Sequence, residues 1–61
     1  MATVLDVLRN ELEDAIGLHK DALASGRVGD YADYREQVGV ITGLTSALER
    51  TKDLLKYMEE H

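Results

Sequence analysis

The feature that most constrains this chain is a helical repeat of apolar residues that continues from position 30 to position 58, about eight turns of helix. Residues three and four positions apart share one side of an α-helix. The positions that follow this spacing are Ile41, Leu44, Leu48, Thr51, Leu55 and Met58. The pattern predicts one long helix that packs lengthwise against other helices.

A second line of residues in the same stretch is small. Gly39, Gly43 and Ala47 follow one another at intervals of four, so another backbone can approach closely along them. The same spacing occurs where membrane helices pair, but Arg35 and Glu49 bracket it too closely for a membrane span. We therefore expect close helix packing in water, and an interaction surface along this strip.

The length of the chain predicts that it needs a partner. A domain of 61 residues buries only about 60% of the surface that its unfolded chain exposes. Small domains are usually stabilised further by disulfides, a metal or oligomerisation. The sequence has no cysteine, and its two imidazoles, His19 and His61, are far apart. Oligomerisation is the remedy that we expect.

The charge pattern argues against several classes of partner. Twelve acidic and seven basic residues give a net charge of −5, with both signs mixed along the chain. Such a surface repels nucleic-acid backbones and anionic lipids on average, so nucleic acid is disfavoured and no membrane is expected. The sequence shows neither a signal-peptide pattern nor a long uncharged run. We expect a soluble, intracellular protein.

The first part of the chain predicts a helix over residues 4–24. Thr3 is a candidate N-cap, with Asp6 three positions later. An apolar stripe then follows, formed by Leu5, Leu8, Leu12, Ala15, His19 and Ala22, with Val4, Ile16 and Leu23 beside it. Ser25 and Gly26 end this helix.

Residues 25–29 predict a short turn, with Arg27 and Val28 near its centre, and Asp30 is a candidate cap for a second helix over about residues 30–60. Because so short a loop forces the helices to lie side by side, the fold predicted for residues 1–61 is a single all-α, antiparallel two-helix hairpin. In this hairpin Leu8, Leu12 and Ile16 would lie level with Ala47, Gly43 and Gly39, large residues against small ones, and His19 would lie near Glu36.

The two predicted helices differ in length, which leaves the end of the second one uncovered. Leu54, Leu55, Tyr57 and Met58 lie in its last two turns, and we expect a second copy or another protein to cover them. Tyr31 and Tyr34 share one side of the helix near the turn. They either close the end of the hairpin core or contact a partner.

The sequence offers little chemistry. His19 is expected to form a structural hydrogen bond across the hairpin, since neither a nucleophile nor a further set of metal ligands accompanies it. Carboxylates such as Glu11 and Asp14 lie on exposed helix surface without a sheltered pocket. We therefore expect no enzyme activity, catalytic residue, cofactor, metal site or small-molecule substrate.

Residues 29–44 read GDYADYREQVGVITGL and resemble a pattern in small proteins encoded among the virion structural genes of tailed bacteriophages. Those proteins share a first helix, a small-residue turn, a D-Y-A-x-Y-R start and a G-x-I-x-G-L step. The resemblance implies a non-enzymatic virion or assembly component, with a capsid, portal, neck or tail protein as its partner. It implies no catalytic residues.

A second similarity is to the dimeric helical hairpin that regulates plasmid copy number by binding RNA loops. It rests on length and architecture alone. Binding of that type requires basic residues gathered on one face, and only Arg9, Lys52 and Lys56 could gather near one end. The alternative to an assembly protein is therefore a small regulatory module, a helical-hairpin dimer that binds RNA or a host protein.

Overall fold

The computed structural model describes residues 2–26 and 29–60, which form two helices packed against each other as a hairpin. Helix α1 spans Val4–Ala24 and helix α2 spans Tyr31–Glu60. The predicted hairpin with a longer second helix is confirmed. The predicted centre of the turn, Arg27 and Val28, lies outside the described residues, as does His61.

Helix α1 begins at the capping box that the sequence predicts. The backbone N–H of Asp6 donates to Thr3 Oγ1 at 3.2 Å, and the backbone N–H of Thr3 donates to Asp6 Oδ2 at 2.8 Å. Two N–H groups that have no acceptor within the helix are thus satisfied. The Asp6 carboxylate accepts from the Thr3 backbone N–H and also from the Thr3 hydroxyl, at 3.0 Å, and these two bonds lower the pKa of the carboxyl. Arg9, whose Nη2 lies 3.4 Å from Asp6 Oδ1, adds to the effect.

The ends of the helices at the turn also follow their sequence signals. Ser25 is the C-cap of α1, and Gly26 has a φ of 74°, the left-handed conformation that glycine adopts without a steric cost. At the start of α2, the backbone N–H of Asp33 donates to Asp30 Oδ1 at 2.8 Å. Asp30 therefore caps α2, because its side chain satisfies an N–H of the first turn.

The contact between the helices is thin. Among the described residues only Ile16, at 8% exposure, and Thr51, at 5%, are buried. Half-buried residues of α2 surround them at the predicted spacing, namely Ile41, Leu44, Leu48 and Leu55, whereas Met58 is exposed. The Thr51 hydroxyl donates to the Ala47 carbonyl oxygen at 2.8 Å, so this polar group is satisfied inside the contact.

The expected pairing of large α1 residues with small α2 residues is wrong. A Cβ atom added at Gly39 or Gly43 would meet nothing within 4 Å outside its own helix, so α1 does not approach these glycines. Val4 and Leu8 are exposed rather than part of the core. The reason is rotation: α2 turns the line of Ile41, Leu44 and Leu48 toward α1, which carries the glycines away from it.

The hairpin is elongated because it has a single layer of two helices. Its dimensions are 47 × 17 × 13 Å, and its radius of gyration is 14.2 Å. A compact 61-residue domain has a radius of gyration of about 10.5 Å. The chain therefore exposes more surface than its length requires.

Candidate protein-interaction surface

The described residues contain no cluster of metal ligands. No group of three or more His, Asp or Glu side chains among them could hold a metal ion. His19 Nδ1 lies 2.6 Å from Gln37 Oε1 on the other helix. Because an amide oxygen can only accept, Nδ1 carries the proton of this bond. The predicted structural hydrogen bond of His19 is thus present, with Gln37 rather than the neighbouring Glu36 as its partner.

The exposed surface, in contrast, carries many large apolar side chains. They are Val4, Val7, Leu8, Leu18, Tyr31, Tyr34, Val38, Val40, Leu54, Tyr57 and Met58. Scattered apolar residues are normal on a protein surface, whereas a contiguous set marks an interaction site. The positions of these residues around each helix therefore decide whether they form one contiguous apolar surface or are scattered.

On α1, one group of exposed apolar residues forms a stripe beside the contact with α2. Val4, Leu8, Ala15 and Leu18 follow the three-and-four spacing of one helix side, interrupted only by Glu11. Val4 is 85% and Leu18 is 71% exposed. At 100° per residue this stripe lies roughly a quarter turn from the side that holds Ile16.

On α2, a corresponding stripe consists of Val40, Gly43, Ala47 and Leu54. Its members also follow steps of three and four, with Arg50 at the one intervening position. Leu54 is 53% exposed, and Ala47 is half-buried. The stripe again lies roughly a quarter turn from the contact with the other helix.

The two stripes lie on the same side of the hairpin. Viewed along each helix from its own N-terminus, each stripe lies anticlockwise of the contact with the other helix. Since α1 and α2 run in opposite directions, this common sense of rotation brings both stripes to one side of the plane through the helix axes. We call this surface the apolar face; it consists of Val4, Leu8, Ala15 and Leu18 of α1 with Val40, Gly43, Ala47 and Leu54 of α2.

The opposite side of the hairpin is mostly polar. By the same rotation it carries Asp6, Arg9, Glu13 and Lys20 of α1 with Thr45, Lys52 and Lys56 of α2, and Val38 nearer the turn. Its basic residues alternate with acidic ones, and Arg9 is paired with Asp6. The hairpin thus has two unlike sides, one apolar and one charged.

The C-terminal end of α2 is covered more than the sequence predicts. Thr3 and Asp6, at the start of α1, line a shallow cavity together with Leu55, Met58 and Glu59. Leu55 is half-buried, so the expectation that nothing in the chain covers the last two turns is wrong for this residue. Helix α1 begins close enough to the end of α2 to shield one side of it.

Leu54 and Tyr57 remain exposed on the outer side of α2. They line a shallow, mainly apolar depression together with Arg50 and Asp53. All four residues belong to α2, so the depression is a surface feature of one helix rather than an enclosed pocket. The predicted uncovered end is therefore present, but it is narrower and is formed by Leu54, Tyr57 and Met58.

Tyr31 and Tyr34 stack on each other, with their ring centroids 6.4 Å apart and their planes inclined by 18°. Both are exposed, so the alternative in which they close the hairpin core is excluded. They lie away from the apolar face. Of the predicted interface residues, the structure groups Gly43, Ala47 and Leu54 on that face and leaves Gly39, Tyr31 and Tyr34 outside it.

Sequence reasoning missed the contribution of α1 to this surface. The apolar stripe predicted for α1 includes Leu8, with Val4 beside it, and the predicted stripes include neither Leu18 nor Val40. The signal was present, because α1 carries two overlapping apolar stripes where one suffices to pack against a single helix. A helix with an apolar arc this wide has more than one neighbour.

No protein-family model matches this chain, and neither curated proteins nor solved structures yield a significant match. Neither described helix combines the length and the hydropathy that a membrane crossing requires.

Proposed function

We propose that this chain is a non-enzymatic assembly protein that acts by packing its helices against another polypeptide. One observation supports the proposal above all: of the apolar side chains in the described residues, only Ile16 is buried within the hairpin. Apolar surface gains free energy when it leaves water, at about 25 cal/mol per Å². Association with another chain would bury apolar side chains that the hairpin leaves in water, and would thereby add stabilising free energy that the hairpin alone lacks.

We further propose that the assembly is a virion component of a tailed bacteriophage, at the capsid, portal, neck or tail. The similarity of residues 29–44 to small virion-gene proteins supports this location. Tyr31 and Tyr34 lie within the similar segment and outside the apolar face, and they stack on each other. They therefore offer a second surface to which a larger phage protein could bind.

The location can be tested on purified particles. Tyr31, which is exposed and lies outside the apolar face, would be replaced by a photo-crosslinking amino acid in phage carrying the gene, and particles and assembly intermediates would be purified and irradiated. We expect a crosslink to a structural protein at a fixed ratio to the particle. The same amino acid at Glu13, on the polar side of α1, is the matched control and should give little product. A chain recovered only outside particles, at every stage of assembly, would contradict the proposal.

A further inference from the structure

We propose that the apolar face is covered by a second copy of this chain, so that two hairpins form a four-helix bundle. This inference deepens the proposed assembly role. The dimer itself is argued from the structure, and only its part in an assembly rests on the proposed function. The face runs along both helices, with Val4 and Leu54 toward one end and Leu18 and Val40 toward the other. A surface two helices wide is matched by another surface two helices wide.

The accessible surface area of the hairpin exceeds that of a compact protein by about the amount that one interface buries on each partner. A compact protein of this mass exposes roughly 4,000 Å². The hairpin exposes 4834 Å². The excess is about 850 Å², close to the area of about 800 Å² that each partner contributes to a stable interface of standard size. Burial of this area in a dimer therefore lowers the accessible surface of each chain to that of a compact protein of the same mass.

The residues of the face also favour a copy over an unrelated protein. In a two-fold dimer the same patch occurs on both chains, so one contact covers both faces. The middle of the face carries small residues, Ala15, Gly43 and Ala47, which let facing helices approach closely. Within the length of the face its charged interruptions are Glu11 and Arg50, and Glu36 continues the α2 stripe toward the turn. The basic residues Arg9, Lys20, Lys52 and Lys56 lie on the opposite side of the hairpin.

Two valines of α2 provide a matched pair for the test. Val40 lies on the apolar face, and Val38, two residues earlier, lies on the opposite side of the helix. Their exposures in the hairpin are nearly equal, at 37% and 39%. Val40→Lys and Val38→Lys therefore change charge, side-chain size and helix propensity identically, and differ only in which side of the hairpin they alter.

The masses of the full-length proteins would be measured by light scattering and sedimentation over a range of micromolar concentrations. We expect wild type and Val38→Lys at twice the 6.8 kDa chain mass. Val40→Lys should raise the dimer dissociation constant by at least about tenfold and run as a monomer at concentrations where wild type is dimeric. A monomeric wild type, or equal dissociation constants for the two variants, would overturn the inference and leave the face to a different protein.

Folding that depends on association would complicate the Val40→Lys result, so circular dichroism of each variant accompanies the mass measurement. If Val40→Lys loses its helical signal, the thermal midpoint of wild type decides instead. The midpoint rises with protein concentration if a dimer unfolds, and it is constant if a monomer unfolds, which would overturn the inference. A dimer that is missing from phage particles contradicts only the proposed function, whereas a monomer found in particles contradicts only this inference.

Discussion

At the scale of single residues, the start of α1 is held by a local exchange of hydrogen bonds between Thr3 and Asp6. Such contacts join residues three positions apart and form as soon as the first turn does. They therefore depend on neighbouring sequence and hardly on the rest of the fold. The ion pair between Arg9 and Asp6 is also local, and it is partly exposed, so its contribution is small.

This exchange predicts a dependence of helix stability on pH. Because hydrogen bonds from Thr3 lower the pKa of Asp6 in the folded chain, the capped state is stabilised above the ordinary carboxyl pKa of about 3.9. That stabilisation is lost as the pH falls through the lowered pKa. Asp6→Asn should be less stable than wild type at neutral pH and should lose less stability on acidification.

The measurement is thermal unfolding followed by circular dichroism between about pH 7 and pH 2. Asp14→Asn is the control, since it removes the same charge from the same helix outside the capping box. Equal acid sensitivity of Asp6→Asn and wild type would mean that the capping box does not couple protonation to folding.

At the scale of the helix, the glycines of α2 require a different explanation from close packing within the hairpin. Gly39 and Gly43 have open space where a Cβ would lie, so none of the described residues requires their small size. Glycine in a helix interior costs about 0.5–1 kcal/mol relative to alanine. Gly26, in contrast, has a conformation that its missing side chain permits.

Gly39→Ala should therefore stabilise the chain by about 0.5–1 kcal/mol, because it removes backbone freedom from the unfolded state and meets no neighbour. Gly26→Ala should destabilise it by about 1–2 kcal/mol, since an alanine there must adopt a left-handed conformation. Denaturant titration of the two variants checks both signs. If Gly39→Ala left stability unchanged but weakened association, Gly39 would belong to an intermolecular contact after all.

At the scale of the whole molecule, the hairpin depends on very few buried groups. Ile16 is the one apolar residue buried among those described, and the helices meet along a single seam. A chain of this size retains only a few kcal/mol of stability from its own core. The loss of one buried side chain is therefore comparable with the stability of the isolated hairpin.

Ile16→Ala should consequently cost about 2–5 kcal/mol and leave the chain largely unfolded at concentrations where it is monomeric. Val7→Ala is the control, because Val7 is exposed on the outer side of the same helix, and it should change stability little. Circular dichroism and thermal unfolding of both variants test this expectation. A folded Ile16→Ala chain at low concentration would show that the seam is stabilised by residues other than its most buried one.

The sequence alone determined the two helices and their ends. Capping residues, the glycine at position 26 and the period of the apolar residues all act within a few positions, so residues 4–24 and the end of α2 were predicted directly. The seam of Ile41, Leu44 and Leu48 followed from the same periodicity. These features need no knowledge of what each helix packs against.

Only the tertiary structure decided which stripe of each helix turns toward the other. Both helices carry overlapping apolar stripes that differ by roughly a quarter turn, and the sequence pattern of either helix allows both choices. The choice depends on how the side chains of two helices fill the space between them, which is a joint property of both. That pairing placed Ile16 and Thr51 inside, turned Gly39 and Gly43 away from α1, and left Val4, Leu18, Val40 and Leu54 together on one uncovered side.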